Sequence, residues 1–174
     1  MPLFLAYLLI FINVVALGVA TAMFVLMEQV QRYEAASMMI QPAIWYTIVF
    51  LPLLTILAMA ARRWFRTMIV SGILVALLGG SLLTMAMTTY VDDQIQPRTV
   101  INNAFGLPDV DDFGDVKFEE NPEYAQYQNR LLAQRLLAAG ILITGIGLIV
   151  AGAFARSLLS PIESIPKEYR NDHR

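Results

Sequence analysis

Four long apolar runs dominate this sequence, and each is long enough to cross a membrane as a helix. A span needs about 20 mostly apolar residues to cross roughly 30 Å of hydrocarbon. The runs cover residues 3–27, 43–60, 67–90 and about 136–155, and they contain no charged side chain. Because lipid provides no partners for backbone N–H and C=O groups, such runs must be helical. The sequence therefore predicts an all-α, polytopic membrane protein with four transmembrane helices.

The composition limits the chemistry that the chain can perform. Only 15% of its 174 residues are charged, against about 25% in typical soluble domains. Cysteine is absent, which excludes disulfides, thiolate metal sites and cysteine nucleophiles. The only histidine is His173, so bis-histidine haem ligation inside the membrane is excluded as well. We therefore expect neither enzymatic activity nor a bound cofactor.

Basic residues predict how the spans are oriented, because Lys and Arg are enriched in cytoplasmic flanks. The link between the second and third spans contains Arg62, Arg63 and Arg66 and no acidic residue. Residues 91–130 contain nine acidic residues and three basic ones. We therefore expect both termini in the cytoplasm and the acidic segment between helices 3 and 4 on the outer side.

The predicted domain organisation is simple. Residues 1–160 form one transmembrane domain that includes the outer acidic segment 91–130, and residues 161–174 form a polar cytoplasmic tail. The small residues at 20–22 resemble a signal-peptide cleavage site, but no Lys or Arg precedes the first run. We interpret this run as a retained anchor. The absence of cysteine and of targeting signals favours a bacterial inner membrane.

The acidic segment divides into two parts. Residues 91–120 contain prolines and glycines without a helical period and indicate an irregular loop. Asn121-Pro122-Glu123 combines an N-cap residue, a proline in the first turn and an acid, which predicts a helix start. The fourth helix is expected to run from there to about Leu159 and to extend beyond the bilayer on the outer side. Tyr124 and Tyr127 give its outer part an aromatic face.

The stretch from residue 109 to 120, DVDDFGDVKFEE, partly matches the loop of helix–loop–helix calcium sites. Position 5 of that pattern should be Asp or Asn but is Phe113, and position 9 is Lys117, whose charge opposes a divalent ion. The sequence favours a solvated acidic loop. The weaker alternative is a calcium site formed by Asp109, Asp111, Asp115 and Glu120.

Small residues recur along the third and fourth spans and indicate close helix packing. The stripe in the third span consists of Gly72, Ala76, Gly80, Thr84 and Thr88. The fourth span has two such faces: Gly140, Thr144, Gly147, Ala151 and Ala155 on one, and Ala138, Gly145 and Gly152 on the other. Packing among four helices explains one stripe per helix, so we interpret the second face as a hint of an external partner. Tyr124 and Tyr127 are candidate contact residues as well.

Two functional hypotheses follow. The first is a non-catalytic accessory or assembly subunit of a larger membrane complex, docking through the small-residue faces and the acidic segment. Its expected partners are other integral membrane subunits, lipid and a basic protein on the outer side, with no nucleic acid. The alternative is a small homo-oligomeric channel or transporter whose path is lined by Asn13, Thr84 and Thr88. An enzyme acting on lipid through acids at the outer interface ranks last; these acids are Glu28, Glu34, Asp92 and Asp93.

Two further features concern the membrane interior. Asn13 is the one strongly polar side chain at mid-depth. An interhelical hydrogen bond or a ligand contact would give it a function, but a role in packing the helices together is favoured. Pro52 predicts a bend in the second span, because proline lacks the N–H that a helix needs.

Overall fold

The computed structural model of the chain describes residues 2–88, 97–102, 106–111 and 113–163. Helices dominate this part of the chain. Four of them are long and apolar enough to cross a membrane: Leu3–Val25, Glu34–Ala60, Phe65–Thr88 and Pro122–Leu158. The four apolar runs predicted from the sequence therefore lie in four helices, as in a multi-pass membrane protein.

The elements of the described chain follow one another in a simple order. They are α1 (Leu3–Val25), α2 (Met27–Arg32), α3 (Glu34–Ser37), α4 (Ile40–Trp45), a π-helical segment (Tyr46–Phe50), α5 (Leu51–Ala60), α6 (Phe65–Thr88), β1 (Arg98–Val100), β2 (Phe118–Glu120) and α7 (Pro122–Glu163). We call α4, the π-helical segment and α5 together the second span.

α7 is the central helix of the bundle. It packs along α6 and also contacts α1, α2 and all three parts of the second span. Buried apolar side chains form one cluster around Leu137 and Ile141 and a smaller one around Leu148. Most large apolar side chains of α1 are exposed instead. Such side chains suit contact with lipid, where no hydrophobic force drives them inward.

Glycine allows the backbones of α6 and α7 to touch. A Cβ atom at Gly79 would lie 2.4 Å from Leu142 N, and one at Gly145 would lie 2.3 Å from Ala76 N. Both distances are far below van der Waals contact, so only glycine fits at these two positions. Close approach of this kind is the usual basis of helix association in membranes.

The bend expected at Pro52 takes the form of a π-helical turn. The Leu51 N–H donates to Tyr46 O, five residues back, instead of to Thr47 O. Pro52 has no N–H, so the helix offers Thr47 O no donor from either position. Thr144 Oγ1 on α7 donates to this carbonyl at 3.4 Å. The irregular turn therefore depends on a hydroxyl from the central helix.

The all-α prediction is incomplete, because the acidic segment contains a small antiparallel sheet. β1 pairs with β2 in the register Val100↔Phe118, and isolated bridges join Asn102 to Pro108 and Val110 to Val116. Gly106 and Gly114 adopt φ angles of +76° and +88° shortly before Pro108 and Val116, which glycine tolerates without strain. The paired strands contain only three residues each, so no alternating pattern marks them in the sequence.

α7 begins where the Asn-Pro-Glu signal predicts. Its first residue is Pro122, and Asn121 Oδ1 accepts the N–H of Glu123 at 3.0 Å. Its 42 residues span about 63 Å at about 1.5 Å per residue, roughly twice the hydrocarbon thickness. The helix continues past the predicted end at Leu159 to Glu163. The rest of the predicted tail, residues 164–174, lies outside the described residues.

Candidate functional site

A tight turn in the acidic segment is held by its own backbone and one carboxylate. Asp111 Oδ1 accepts the N–H groups of Phe113 and Asp115, both at 2.9 Å. The Gly114 N–H donates to Asp111 O at 3.0 Å. Asp is favoured at this position of a turn because its side chain caps the following N–H groups. We call the described residues from 109 to 119 the acidic tip.

Phe113 stands at the apex of the acidic tip and is 93% exposed. Carboxylates flank it in the sequence, together with Lys117, which pairs with Asp109. Other apolar side chains of the described acidic segment are exposed as well. The acids are Asp109, Asp111, Asp115 and Glu119, and the apolar residues are Leu107, Val110, Val116 and Phe118. An ordered turn that presents an aromatic ring among negative charges is suited to contact with a basic surface.

The hydrogen bonds of the turn also affect the charge of Asp111. The N–H of Asp115, followed by that of Phe113, holds the pKa of the Asp111 carboxyl below its ordinary value. Hydrogen bonds to the ionised form favour that form. Asp111 therefore stays charged when the tip is folded.

The pH dependence of the tip follows from this lowered pKa. The charged form contributes stability above the ordinary pKa of an aspartate and loses it as the pH falls through the lowered value. We expect hydrogen-exchange protection of the Asp115 amide to be constant between about pH 8 and about pH 5 and to fall only in stronger acid. Carboxyl ¹³C NMR in nanodiscs measures the titration of Asp111. A midpoint at or above the ordinary value would contradict the expectation, and Asp111→Ala is the control that removes the turn's acceptor.

Two of the four carboxylates that would form the alternative calcium site already have other partners. Lys117 Nζ lies 3.0 Å from Asp109 Oδ2, and Asp111 already accepts two N–H groups. Within the described ranges, no group of three His, Cys, Asp or Glu side chains is placed to hold a metal ion. The side chain of Glu120 lies outside what the structure describes.

The structure places the small residues of the third span in two different environments. A Cβ at Gly72 would lie 2.8 Å from Gly145 O, and Ala76 packs against Gly145. A Cβ at Gly80 would have no neighbour within 4 Å, whereas Gly79, absent from the predicted stripe, meets α7 closely. The contact stripe of α6 therefore consists of Gly72, Ala76 and Gly79.

Both small-residue faces of α7 are used inside the chain. Gly145 and Gly152 face α6, where a Cβ at Gly152 would lie 3.0 Å from Phe65 O. On the other face, a Cβ at Gly140 would lie 2.8 Å from Thr47 Oγ1, and Thr144 bonds to Thr47 O. Gly147 lies more loosely against Ile56, and Ala151 packs at the Leu148 cluster. Intramolecular packing thus accounts for the second face, which no longer points to an external partner.

Asn13 lies inside the bundle and bonds across helices. It is 3% exposed, and its Oδ1 accepts an interhelical hydrogen bond from the Tyr46 hydroxyl at 2.9 Å. Its Nδ2 is buried without a hydrogen-bond partner among the described residues. Thr84 and Thr88 lie on the exposed surface of α6 and donate to backbone carbonyls of their own helix. The predicted polar path is therefore not assembled within one copy of the chain.

Sequence reasoning missed two features. Phe113 breaks the calcium pattern, but the Asp-Asp-Phe-Gly sequence that follows Val110 is itself a hairpin signal. Glu28 is one of several scattered acids in the sequence, but it forms an ion pair with Arg130 across α2 and α7. Two residues that are so far apart in the sequence form no local sequence pattern, so their ion pair cannot be predicted from it. Glu34 is exposed, and Asp92 and Asp93 lie outside the described residues.

The fold and the tip together define a class: a four-span helical membrane protein with a structured acidic segment beside a long central helix. No protein-family model, curated protein or solved structure matches this chain.

Proposed function

We propose that this chain is a non-catalytic accessory or assembly subunit of a larger membrane complex and that it docks a basic partner on its acidic tip. The observation that carries the proposal is Phe113, an aromatic ring presented at the apex of an ordered acidic turn. Aromatic anchors contribute much of the energy of protein interfaces. Surrounding carboxylates attract basic partners and repel acidic ones.

The proposal places the acidic tip on the outer side of a bacterial inner membrane and both termini in the cytoplasm. The charge distribution supports this orientation, since Arg62, Arg63 and Arg66 lie in the link between α5 and α6. Within the membrane, the surface offered to another integral subunit is the exposed face of α6 around Gly80 and Thr84. Small side chains there permit a foreign helix to approach closely.

A photo-crosslinking amino acid at position 113 tests the proposal in the native membrane. We expect one predominant covalent product with a second protein whose contacting surface is rich in Lys and Arg. Asp115→Lys together with Glu119→Lys is expected to lower the yield of that product by about tenfold, because like charges then face each other. Both side chains are exposed, so the folded tip tolerates the changes.

The chain offers a matched control at the link between α2 and α3. Tyr33 is an exposed aromatic residue beside the exposed acid Glu34. The crosslinker at position 33 is expected not to form the partner product. The Glu34→Lys change is expected to leave the yield of the product formed from position 113 unchanged. Crosslinks only to lipid, or a purified particle that contains only copies of this chain, would overturn the proposal. The latter result would favour the homo-oligomeric channel instead.

A further inference from the structure

A polar cleft lies where α2 meets the first turns of α7. Its volume is about 430 Å³, and charged side chains from both helices line it. This volume lies within the range of about 300–1,000 Å³ that is usual for small-molecule sites. The charged groups are two arginines and two glutamates: Arg32 and Glu28 on α2, and Arg130 and Glu123 on α7. The cleft is therefore dipolar without a large net charge.

One carboxylate holds both arginines beside the cleft. Glu28 Oε1 pairs with Arg32, and Glu28 Oε2 lies 3.7 Å from Arg130 Nη1. The guanidinium of Arg130 also lies 4.6 Å from the centre of the Tyr127 ring, a cation–π arrangement that restricts its motion. Each guanidinium carries several N–H donors in a fixed fork. The single Glu28 carboxylate cannot accept all of them, so donors remain for an anionic ligand.

Glu123 provides a negative group within the same cleft. No Lys or Arg of the described residues forms an ion pair with its carboxylate. The cleft therefore offers guanidinium donors and, from a different residue, a carboxylate acceptor. A ligand that carries one phosphate and one ammonium group matches both.

The position of the cleft relative to the membrane indicates the source of such a ligand. Glu28 is the first charged residue after the apolar run of α1. On α7, Arg130 lies six residues before the uncharged run that begins at about residue 136, which is about 9 Å along the helix axis, and Arg135 lies between them. The cleft therefore lies at the level of the headgroups, just beyond the edge of the hydrocarbon. Tyr127 is of the residue type that is enriched at this level.

We propose that this cleft binds the phosphoethanolamine headgroup of a zwitterionic phospholipid. The phosphate accepts hydrogen bonds from Arg32 and Arg130, and the primary ammonium donates to Glu123. The site joins α2 to α7, so the bound headgroup links the end of the first span to the central helix. This assignment is independent of the partner on the acidic tip.

Native mass spectrometry of the full chain from nanodiscs tests the proposal. In discs containing phosphatidylethanolamine, phosphatidylglycerol and phosphatidylcholine, we expect one phosphatidylethanolamine molecule to survive detergent washing. Arg32→Gln and Glu123→Gln are each expected to reduce its retention by about tenfold, because each removes a charge-assisted hydrogen bond. Arg32 and Glu123 are exposed, so both variants are expected to fold. Arg156→Gln, an exposed arginine near the other end of α7, is the matched control.

Three results would overturn the proposal: equal retention of the three lipids, preferential retention of phosphatidylglycerol, or equal loss in the variants and the control. Soluble phosphoethanolamine added to discs of phosphatidylcholine distinguishes the two sources of the same chemistry. Binding of the soluble compound only at millimolar concentration supports the lipid, whereas tight binding of the soluble compound overturns the assignment to a membrane headgroup. Far-UV circular dichroism checks that each variant retains its helices.

Discussion

Gly79→Ala is expected to destabilise the bundle by about 2–3 kcal/mol, although alanine is the better helix former. The added Cβ atom would lie 2.4 Å from Leu142 N and 2.7 Å from Leu142 Cα. Both are backbone atoms of α7 and cannot rotate away. The two helices must therefore separate, and the side chains packed around them lose dispersion contacts. Gly145→Ala is expected to act in the same way from the other side of the contact, against the backbone of Ala76.

Gly80 is the matched control, because it occupies the next position of the same helix. A Cβ there meets nothing within 4 Å. Gly80→Ala is therefore expected to leave the stability unchanged or to raise it by up to about 1 kcal/mol, the gain in helix propensity. Unfolding in mixed micelles with a rising fraction of SDS measures both variants. Equal shifts of the two unfolding midpoints would contradict a close contact between the backbones of α6 and α7 at Gly79.

Thr144→Val is expected to cost about 1–2 kcal/mol, because it leaves a buried carbonyl without a donor. The single hydroxyl hydrogen of Thr144 is shared between two carbonyl oxygens, with Oγ1 2.9 Å from Gly140 O and 3.4 Å from Thr47 O. Gly140 lies within α7 and keeps its helical N–H partner. Thr47 O has no N–H partner in its own helix, because the Leu51 N–H donates to Tyr46 O and Pro52 carries no N–H. The loss of stability should therefore come from the carbonyl group of Thr47, which is left without a donor.

A double-mutant cycle with Pro52→Ala isolates this effect. Alanine at position 52 supplies the missing N–H, so Thr144→Val should cost less in that background, with a coupling of about 1 kcal/mol. Thr55→Val serves as the control, since the Thr55 hydroxyl donates at 2.6 Å to Leu51 O within its own helix. Its cost should be the same with and without Pro52. Additive effects of Thr144→Val and Pro52→Ala would contradict the role assigned to the hydroxyl.

The sequence predicted the features that depend on local composition. The four spans follow from apolar runs, because any uncharged stretch of that length must close its backbone hydrogen bonds within a helix. The start of α7 at Pro122 follows from three adjacent residues that satisfy the first turn. The π-helical turn before Pro52 lies where the sequence lacks one N–H. Each of these causes lies within a few residues of its effect.

Other features could not be predicted because they depend on distant pairs. Nothing local distinguishes Gly79 from Gly80, and only the rotation of α6 against α7 decides which of them requires glycine. The small sheet was missed because its strands are three residues long and owe their stability to each other. For the same reason the sequence does not predict the ion pair between Glu28 and Arg130, because only the packing of α2 against α7 brings the two residues together.

By itself, the sequence determined that this chain is a helical protein of four spans. It also determined that these spans contain no charged side chain and that negative charge is concentrated between the third and fourth helices. These properties depend only on the residue composition of each segment, and folding does not change that composition. The tertiary structure alone decided that both small-residue faces of α7 are used within the chain, that Phe113 stands at the apex of an ordered turn, and that charges from α2 and α7 share one cleft. Those properties depend on which side chains meet, and that is set by the packing of helices far apart in sequence.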